Sequence, residues 1–220
     1  MIIAIDGPAA SGKGTLAKAV AERLHLAHLD SGLLYRAVAK RLLDRGVSLD
    51  AEAEAQQVAA ALDLSGLDPA ALRGAGMGEA ASRVAAYPTV RAALVHLQRN
   101  FALRPGGAVI DGRDIGTVIF PDAQVKLFVT ASSEERARRR WRELVLGGSP
   151  LDFDAVLADI RRRDERDSTR SAAPLRQAPD AVLIDTTHLE PDAALDAALA
   201  VIAEKRDRQD EATSLSPRVL

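Results

Sequence analysis

The 220 residues carry 29 Lys and Arg against 31 Asp and Glu, a formal net charge of −2, so no overall field draws the chain to nucleic acid or to an anionic membrane. Cysteine is absent, which excludes disulfides and thiolate metal sites. Hydrophobic residues at 47% and charged residues at 27% are the proportions of a globular protein, long enough for about one to one and a half ordinary domains. No apolar run approaches the roughly 20 residues of a membrane helix. The first residues enter a strand with no charged stretch before an apolar core, so neither secretion nor a membrane partner is expected and the location is expected to be cytoplasmic.

Ile2-Ile3-Ala4-Ile5 reads as a short buried strand. A loop of small residues follows, Gly7-Pro8-Ala9-Ala10-Ser11-Gly12-Lys13-Gly14-Thr15, and then Leu16, Ala17, Val20, Ala21 and Leu24 recur at helical spacing. Strand, glycine loop and helix together predict a phosphate loop, in which successive backbone N–H groups and a helix N-terminus converge on an anion. Lys13 supplies a point charge toward the β- and γ-phosphates and Thr15 a hydroxyl for Mg²⁺. Gly14 stands where the general pattern has Ser or Thr directly after the lysine. That Gly-Lys-Gly-Thr form is similar to the loop of nucleoside monophosphate kinases.

Leu26-Ala27-His28-Leu29 predicts a second strand ending at Asp30-Ser31-Gly32, and Leu33 to Leu43 a helix stopped by Gly46. Tyr35 and Arg36 are expected in its first turn, where the helix dipole does not favour an arginine. A nearby anion accounts for Arg36 there; a solvated arginine is the alternative. Val47 to Phe101 reads as a helical insertion between core strands, with helices over Ala51–Leu62 and Thr89–Phe101. The cluster Gly74, Gly76, Gly78 lacks a flanking strand and helix and reads as a flexible turn rather than a second phosphate site.

Ala108-Val109-Ile110-Asp111 predicts a strand closed by Gly112-Arg113-Asp114. An aspartate at that end is expected to hold Mg²⁺ through water, and Arg113 and Asp114 to face the same crevice. Pro121-Asp122 predicts a turn and Val125–Val129 a fourth strand. Ser132 and Glu135 have capping-box spacing at the head of a helix over Glu134–Leu146 with Arg136, Arg138, Arg139, Arg140 and Arg142. Gly147-Gly148-Ser149-Pro150 breaks it, and a second arginine-loaded helix, Asp152 to about Asp167, carries Arg161, Arg162, Arg163 and Arg166, with Arg170 beyond. Such runs are often solvated faces, but a hairpin with arginines on both limbs also fits a lid that clamps phosphates. Aromatic residues are only 3%, too few for a nucleic-acid stacking platform. Ala181–Asp185 predicts a fifth strand and Pro191–Lys205 a closing helix, with 206–220 a flexible tail. The four histidines lack metal spacing and are expected to be structural or on the surface.

The phosphate loop, Asp30-Ser31-Gly32-Leu33-Leu34-Tyr35-Arg36, Asp111-Gly112-Arg113-Asp114-Ile115-Gly116-Thr117 and Arg163-Asp164-Glu165-Arg166-Asp167-Ser168-Thr169-Arg170 together resemble the bacterial cytidylate kinase family, from Ile2 to about Ala203. The resemblance implies an α/β fold, a phosphate-loop three-layer domain over residues 1–205 with a five-stranded parallel sheet, a helical monophosphate-binding insertion at about 37–99 and a short lid at about 144–170. It implies transfer of phosphate from ATP, with Mg²⁺, to CMP or dCMP by a cytoplasmic monomer. By similarity, Ser31 and Arg36 contact the acceptor nucleotide, and Ser82, Arg91 and Asp114 read the cytosine. Arg113 and Arg170 match arginines at the acceptor phosphate, and Arg163 and Asp167 residues near its sugar; Lys13, Arg113, Arg163 and Arg170 form the catalytic set. The family's insertion usually holds a small antiparallel sheet before an Arg-x-x-Glu-Val segment. Here Arg73-Gly74-Ala75-Gly76-Met77 has a glycine for the glutamate, and a reduced insertion is expected. Alternatives left open by the residues alone are a kinase of another small acceptor (UMP, a coenzyme A precursor, a sugar acid) and a nucleotide-dependent switch. The switch lacks an Asn-Lys-x-Asp guanine-reading segment.

Overall fold

The computed structural model describes residues 1–64, 67–72, 74, 76–148 and 152–214, with the side chains of 209–214 excepted. In chain order the elements are β1 (Ile2–Asp6), α1 (Lys13–Leu24), β2 (Ala27–Asp30), α2 (Ser31–Asp44), α3 (Glu52–Ala60), α4 (Met77–Val84) and α5 (Pro88–Ala102). Then come β3 (Ala108–Gly112), a π-helical turn (Ile115–Ile119), β4 (Val125–Thr130), α6 (Ser133–Leu146), α7 (Phe153–Thr169), β5 (Val182–Asp185) and α8 (Pro191–Ser214). The strands form one sheet in the order β2-β3-β1-β4-β5, every pair parallel. This is the five-stranded parallel sheet expected from the sequence.

Buried on both faces, a central strand must be apolar throughout; Ile3, Ala4 and Ile5 of β1 have no exposed surface. One face packs on Leu16, Ala17 and Val20 of α1 and Ala194, Ala198 and Ile202 of α8. The other packs on Phe101 of α5 and on Ile115 and Ile119 of the π-helical turn. Register sets Asp6 beside Gly112 and Asp30 beside Asp111, so the carboxyl ends of β1, β2 and β3 share one edge, where open parallel sheets bind ligands.

The insertion has its own core: Leu34, Val38 and Leu42 of α2 close on Val58 of α3, Val84 of α4 and Leu94 of α5. Among the described residues it contains helices and no strand. In the resembling segment at 73–77, Arg73 and Ala75 lie outside the described residues, as do Ser149 and Pro150 of the expected break after α6. The glycine cluster is not a simple turn: Gly76 caps α4 and Gly78 lies inside it. Ala80, Ala81 and Val84 give that helix a buried face.

Two other expectations change. Asp30 caps α2, its Oδ1 accepting the Gly32 N–H at 2.9 Å, so the helix begins at Ser31 and Arg36 falls in the second turn, beyond the first-turn reach of the dipole argument. The closing helix does not stop at Lys205 but runs to Ser214, because 206–214 holds no Gly or Pro to end it. No described helix is long and apolar enough to cross a membrane.

Ser132 caps α6 as expected, its hydroxyl accepting the Glu135 N–H at 3.2 Å. The reciprocal half of the box is not made. Ser132 N–H goes to Thr187 Oγ1 at 3.0 Å, and the Glu135 carboxylate pairs with Arg138 and Arg139.

Candidate active site

The loop from Gly7 to Gly12 lies under the carboxyl end of β4, so close that a Cβ on Gly7 would run into the Val129 carbonyl oxygen. Ser11 is fully buried, and its hydroxyl has no hydrogen-bond partner among the described residues. A buried unpaired hydroxyl costs free energy unless a ligand satisfies it, which fits a loop built around an anion. Pro8, Ala9 and Lys13 are buried, Ala10, Gly12 and Gly14 half-buried, and Thr15 exposed at the head of α1. Lys13 Nζ donates to Pro8 O at 3.2 Å. Burial, aided by repulsion from Arg113, pulls the Lys13 amine down to about 7. A phosphate restores its charge.

Asp111 is 2% exposed, and its Oδ2 lies 3.7 Å from where a Cβ on Gly14 would stand. Its Oδ1 is 2.9 Å from His28 Nε2. Burial pushes this carboxyl up, while the His28 bond opposes it. His28 therefore holds the carboxylate expected to face Mg²⁺, a structural contact hidden by 83 residues of chain. One hydroxyl and one carboxylate on the same edge suit a hard cation that keeps water and phosphate as its other ligands. No cluster of three His, Asp or Glu able to hold a metal by itself exists among the described residues.

The predicted acceptor residues gather around two carboxylates. Asp114, at the end of the β3 loop, meets Arg91 Nη2 of α5, and Arg170 Nη2 lies 3.8 Å from its Oδ1. All three side chains are under one-tenth exposed. Arg91 also donates to Ala85 O at 3.2 Å and lies over the Tyr35 ring, 5.5 Å from its centroid. Asp167 of α7 accepts from Ser82 Oγ at 3.0 Å and from Arg113 Nε at 3.0 Å, with Arg163 Nε 3.9 Å away. Burial alone would raise Asp167, but Arg113 and Arg163 hold it below the usual carboxylate range. Ser31 is buried at the start of α2, its hydroxyl in the space that a Cβ on Gly112 would need. Arg36 lies 4.0 Å from Asp30 Oδ2. Helix α4, the sheet edge and α7 are therefore joined through single side chains.

The arginines of α6 and α7 divide by direction. Arg138, Arg161 and Arg162 are solvent-exposed and pair with neighbouring acids on the surface. Arg136 is 5% exposed and structural. It grips Asp164 with two bonds of 2.9 and 2.6 Å, Ala131 O at 2.9 Å and Ala9 O at 3.3 Å. Arg139 donates to Thr186 Oγ1 and O, and the Thr186 hydroxyl stands 2.9 Å from Ser11 O. Only Arg163, Arg166 and Arg170 of the second limb turn inward. Arg166 pairs with Glu79 of α4 at 2.7 Å. Arg163 is drawn down to about 10 by burial and by Arg113, and its Nε has no hydrogen-bond partner among the described residues.

A phosphate loop at the head of an all-parallel sheet, with cations converging above it, defines a phosphate-loop nucleotide-binding domain. The sequence model described as cytidylate kinase matches residues 3–205. The chain belongs to the cytidylate kinase family. It is 62% identical to the cytidylate kinase of Azorhizobium caulinodans, over 94% of this chain and 100% of that one. It is 59% identical to that of Methylocella silvestris, over 94% of this chain and 96% of that one. The fold also resembles a solved uncharacterized protein from Eubacterium ventriosum, with a TM-score of 0.54, 18% identity and coverage of 92% and 98% of the two chains.

Proposed function

We propose that the chain transfers the γ-phosphoryl group of ATP to the phosphate of CMP and dCMP, giving ADP and CDP or dCDP. The observation that carries this reading is the gathering of interior cations at one edge of the sheet, Arg91 and Arg170 on Asp114 and Arg113 and Arg163 on Asp167, beside a phosphate loop whose Lys13 is itself buried. Burial, with repulsion from Arg113, lowers both Lys13 and Arg163, so arriving phosphates are favoured there. The cation-lined edge lies beside the phosphate loop on one side and beside Asp114 on the other.

In this reading ATP lies along Gly7–Thr15, with Lys13 on its outer phosphates. Arg36, Arg113 and Arg170 take the acceptor phosphate and Arg163 stabilises the charge shared in transfer. Asp114 accepts from the cytosine amino group, which uracil lacks. A carboxylate has about four acceptor sites, so it can do so while paired with Arg91 and Arg170. Ser82 and Arg91 help frame the base, while Ser31 and Asp167 line the acceptor's sugar side. Thr15 and, through water, Asp111 would hold Mg²⁺, which when bound neutralises charge on the transferring group. The acceptor phosphate, with a second pKa near ~6, is already largely dianionic at neutral pH, so no general base is required. Closure of insertion and lid keeps water from the γ-phosphate. A cytoplasmic monomer belongs to the same reading, which draws every contact from one chain.

Incubating the protein with ATP, Mg²⁺ and CMP and separating the nucleotides by ion exchange tests the proposal. CDP and ADP formed in equal amounts support it; ADP without CDP, or neither, contradicts it.

A further inference from the structure

Asp6 ends β1 and is joined directly to Gly7, the first residue of the phosphate loop. It is 4% exposed. Its Oδ1 accepts the Ile115 N–H at 2.8 Å and its Oδ2 the Gly116 N–H at 2.7 Å. Those two N–H groups open the π-helical turn and follow immediately after Arg113 and Asp114. A buried carboxylate spanning 109 and 110 residues in this way ties the strand end that leads into the donor loop to the loop that carries the acceptor contacts.

We infer that Asp6 is a positioning residue for acceptor selection, setting where Asp114 and Arg113 stand relative to the phosphate loop. The inference rests on the acceptor roles proposed above for those two residues. Both carboxylate oxygens are needed, because each N–H lies in the interior and an orphaned one costs free energy. Asn at this position keeps the shape and can satisfy one N–H, but turns an amide N–H against the other.

The groups facing Asp6 are few. Asp114 and Arg113 come from the β3 loop. The aliphatic stem of Lys126 on β4 approaches Gly116, while its amine is occupied by Pro121 O and Asp180. β3 and β4 place uncharged Gly112 and Phe128 beside Asp6. Burial pushes Asp6 up to about 7, against the two N–H bonds, with Asp114 adding to the rise and Arg113 opposing it. Lowering the pH through 7 therefore protonates one oxygen and loosens the turn.

Steady-state kinetics of the wild type, Asp6→Asn and Gly116→Ala decide the matter. A Cβ on Gly116 would stand 3.1 Å from Lys126 Cδ and 3.4 Å from Asp6 Oδ2, so that variant crowds the same bond while leaving the carboxylate chemically intact. Asp6→Asn should raise KM for CMP about tenfold, the loss of one charge-assisted bond, and leave KM for ATP within about twofold. Gly116→Ala should shift KM for CMP in the same direction by about threefold. The wild-type KM for CMP should rise as pH falls through 7 more steeply than that of Asp6→Asn, in which Lys13 and CMP's own phosphate still titrate but position 6 does not. Equal rises for ATP and CMP, no rise for either, or identical pH profiles overturn the inference. Should Asp6→Asn fail to fold, Gly116→Ala decides by the same split of KM values. Wild-type turnover of CMP separately decides the function, so the two failures are distinguishable.

Discussion

Gly78 of α4 makes room for Arg163 of α7: a Cβ on Gly78 would stand 2.8 Å from Arg163 Nη1. The same seam holds Glu79 against Arg166 and Ser82 against Asp167. Because the obstructing atom is the end of a flexible side chain, Gly78→Ala displaces the guanidinium rather than the backbone. Helix propensity favours the alanine by about 0.5–1 kcal/mol. The variant should melt no lower than the wild type yet lose about tenfold in kcat, as a displaced transition-state cation does. Thermal melting and turnover on one preparation check this; unchanged kcat contradicts the placement of Arg163.

Asp114 separates Arg91 from Arg170, all three buried. Asp114→Ala leaves two interior guanidinium groups without their carboxylate, costing about 3 kcal/mol of stability. It also removes the acceptor for the cytosine amine, so kcat/KM for CMP relative to UMP should fall about 100-fold. KM for ATP should change far less. Denaturant unfolding and paired CMP and UMP kinetics measure the two effects, and an unchanged CMP to UMP ratio removes Asp114 as the base reader.

Lys13 carries a pH signature. Its amine is lowered to about 7 in the folded chain, by burial first and Arg113 second, from 10.5. Between those values the unfolded chain binds the proton and the folded chain does not, so stability rises with pH across that window. Lys13→Met removes the penalty: the ligand-free variant should melt higher near pH 7, by about 2–4 °C per kcal/mol relieved, with the gap closing toward about pH 10. ATP should stabilise the wild type and not the variant, and turnover should collapse. A variant that melts lower at pH 7 contradicts the buried-amine account.

Arg136 fastens α6 to Asp164 of α7 and to Ala9 of the phosphate loop. Lysine cannot reproduce that two-pronged grip. Arg136→Lys should destabilise by about 2 kcal/mol, Asp164 being partly open to solvent, and raise KM for ATP more than for CMP. Calorimetric melting with both KM values tests this; a CMP-only effect contradicts it.

The phosphate loop was legible because its signal is local: four apolar residues, six loop positions and a helical stripe need no partner elsewhere in the chain. Arg36, Arg113 and Asp114 were legible from their places at a helix start and a strand end, but Ser82, Arg91 and Asp167 only through the family resemblance, since nothing in spacing brings Ser82, Arg113 and Asp167 together. The pairing of His28 with Asp111 escaped notice because their bond crosses two strands 83 residues apart. A run of arginines reads alike whether a side chain points out, as Arg161 does at 60% exposure, or in, as Arg136 does. Direction is decided by which helix face packs on Ala9, Val156 and Ile160. Helix α4 was masked by its own glycines. Asp6 carried a usable signal, an acid at the end of an otherwise apolar central strand.

The most direct test of the central claim is kcat/KM for ADP formation from ATP and Mg²⁺ with CMP, dCMP, UMP, AMP or no acceptor. The account predicts rapid turnover with CMP and dCMP, at least about 100-fold less with UMP, and almost none with AMP or without acceptor. Equal turnover of CMP and UMP, or ATP hydrolysis indifferent to any acceptor, would contradict it.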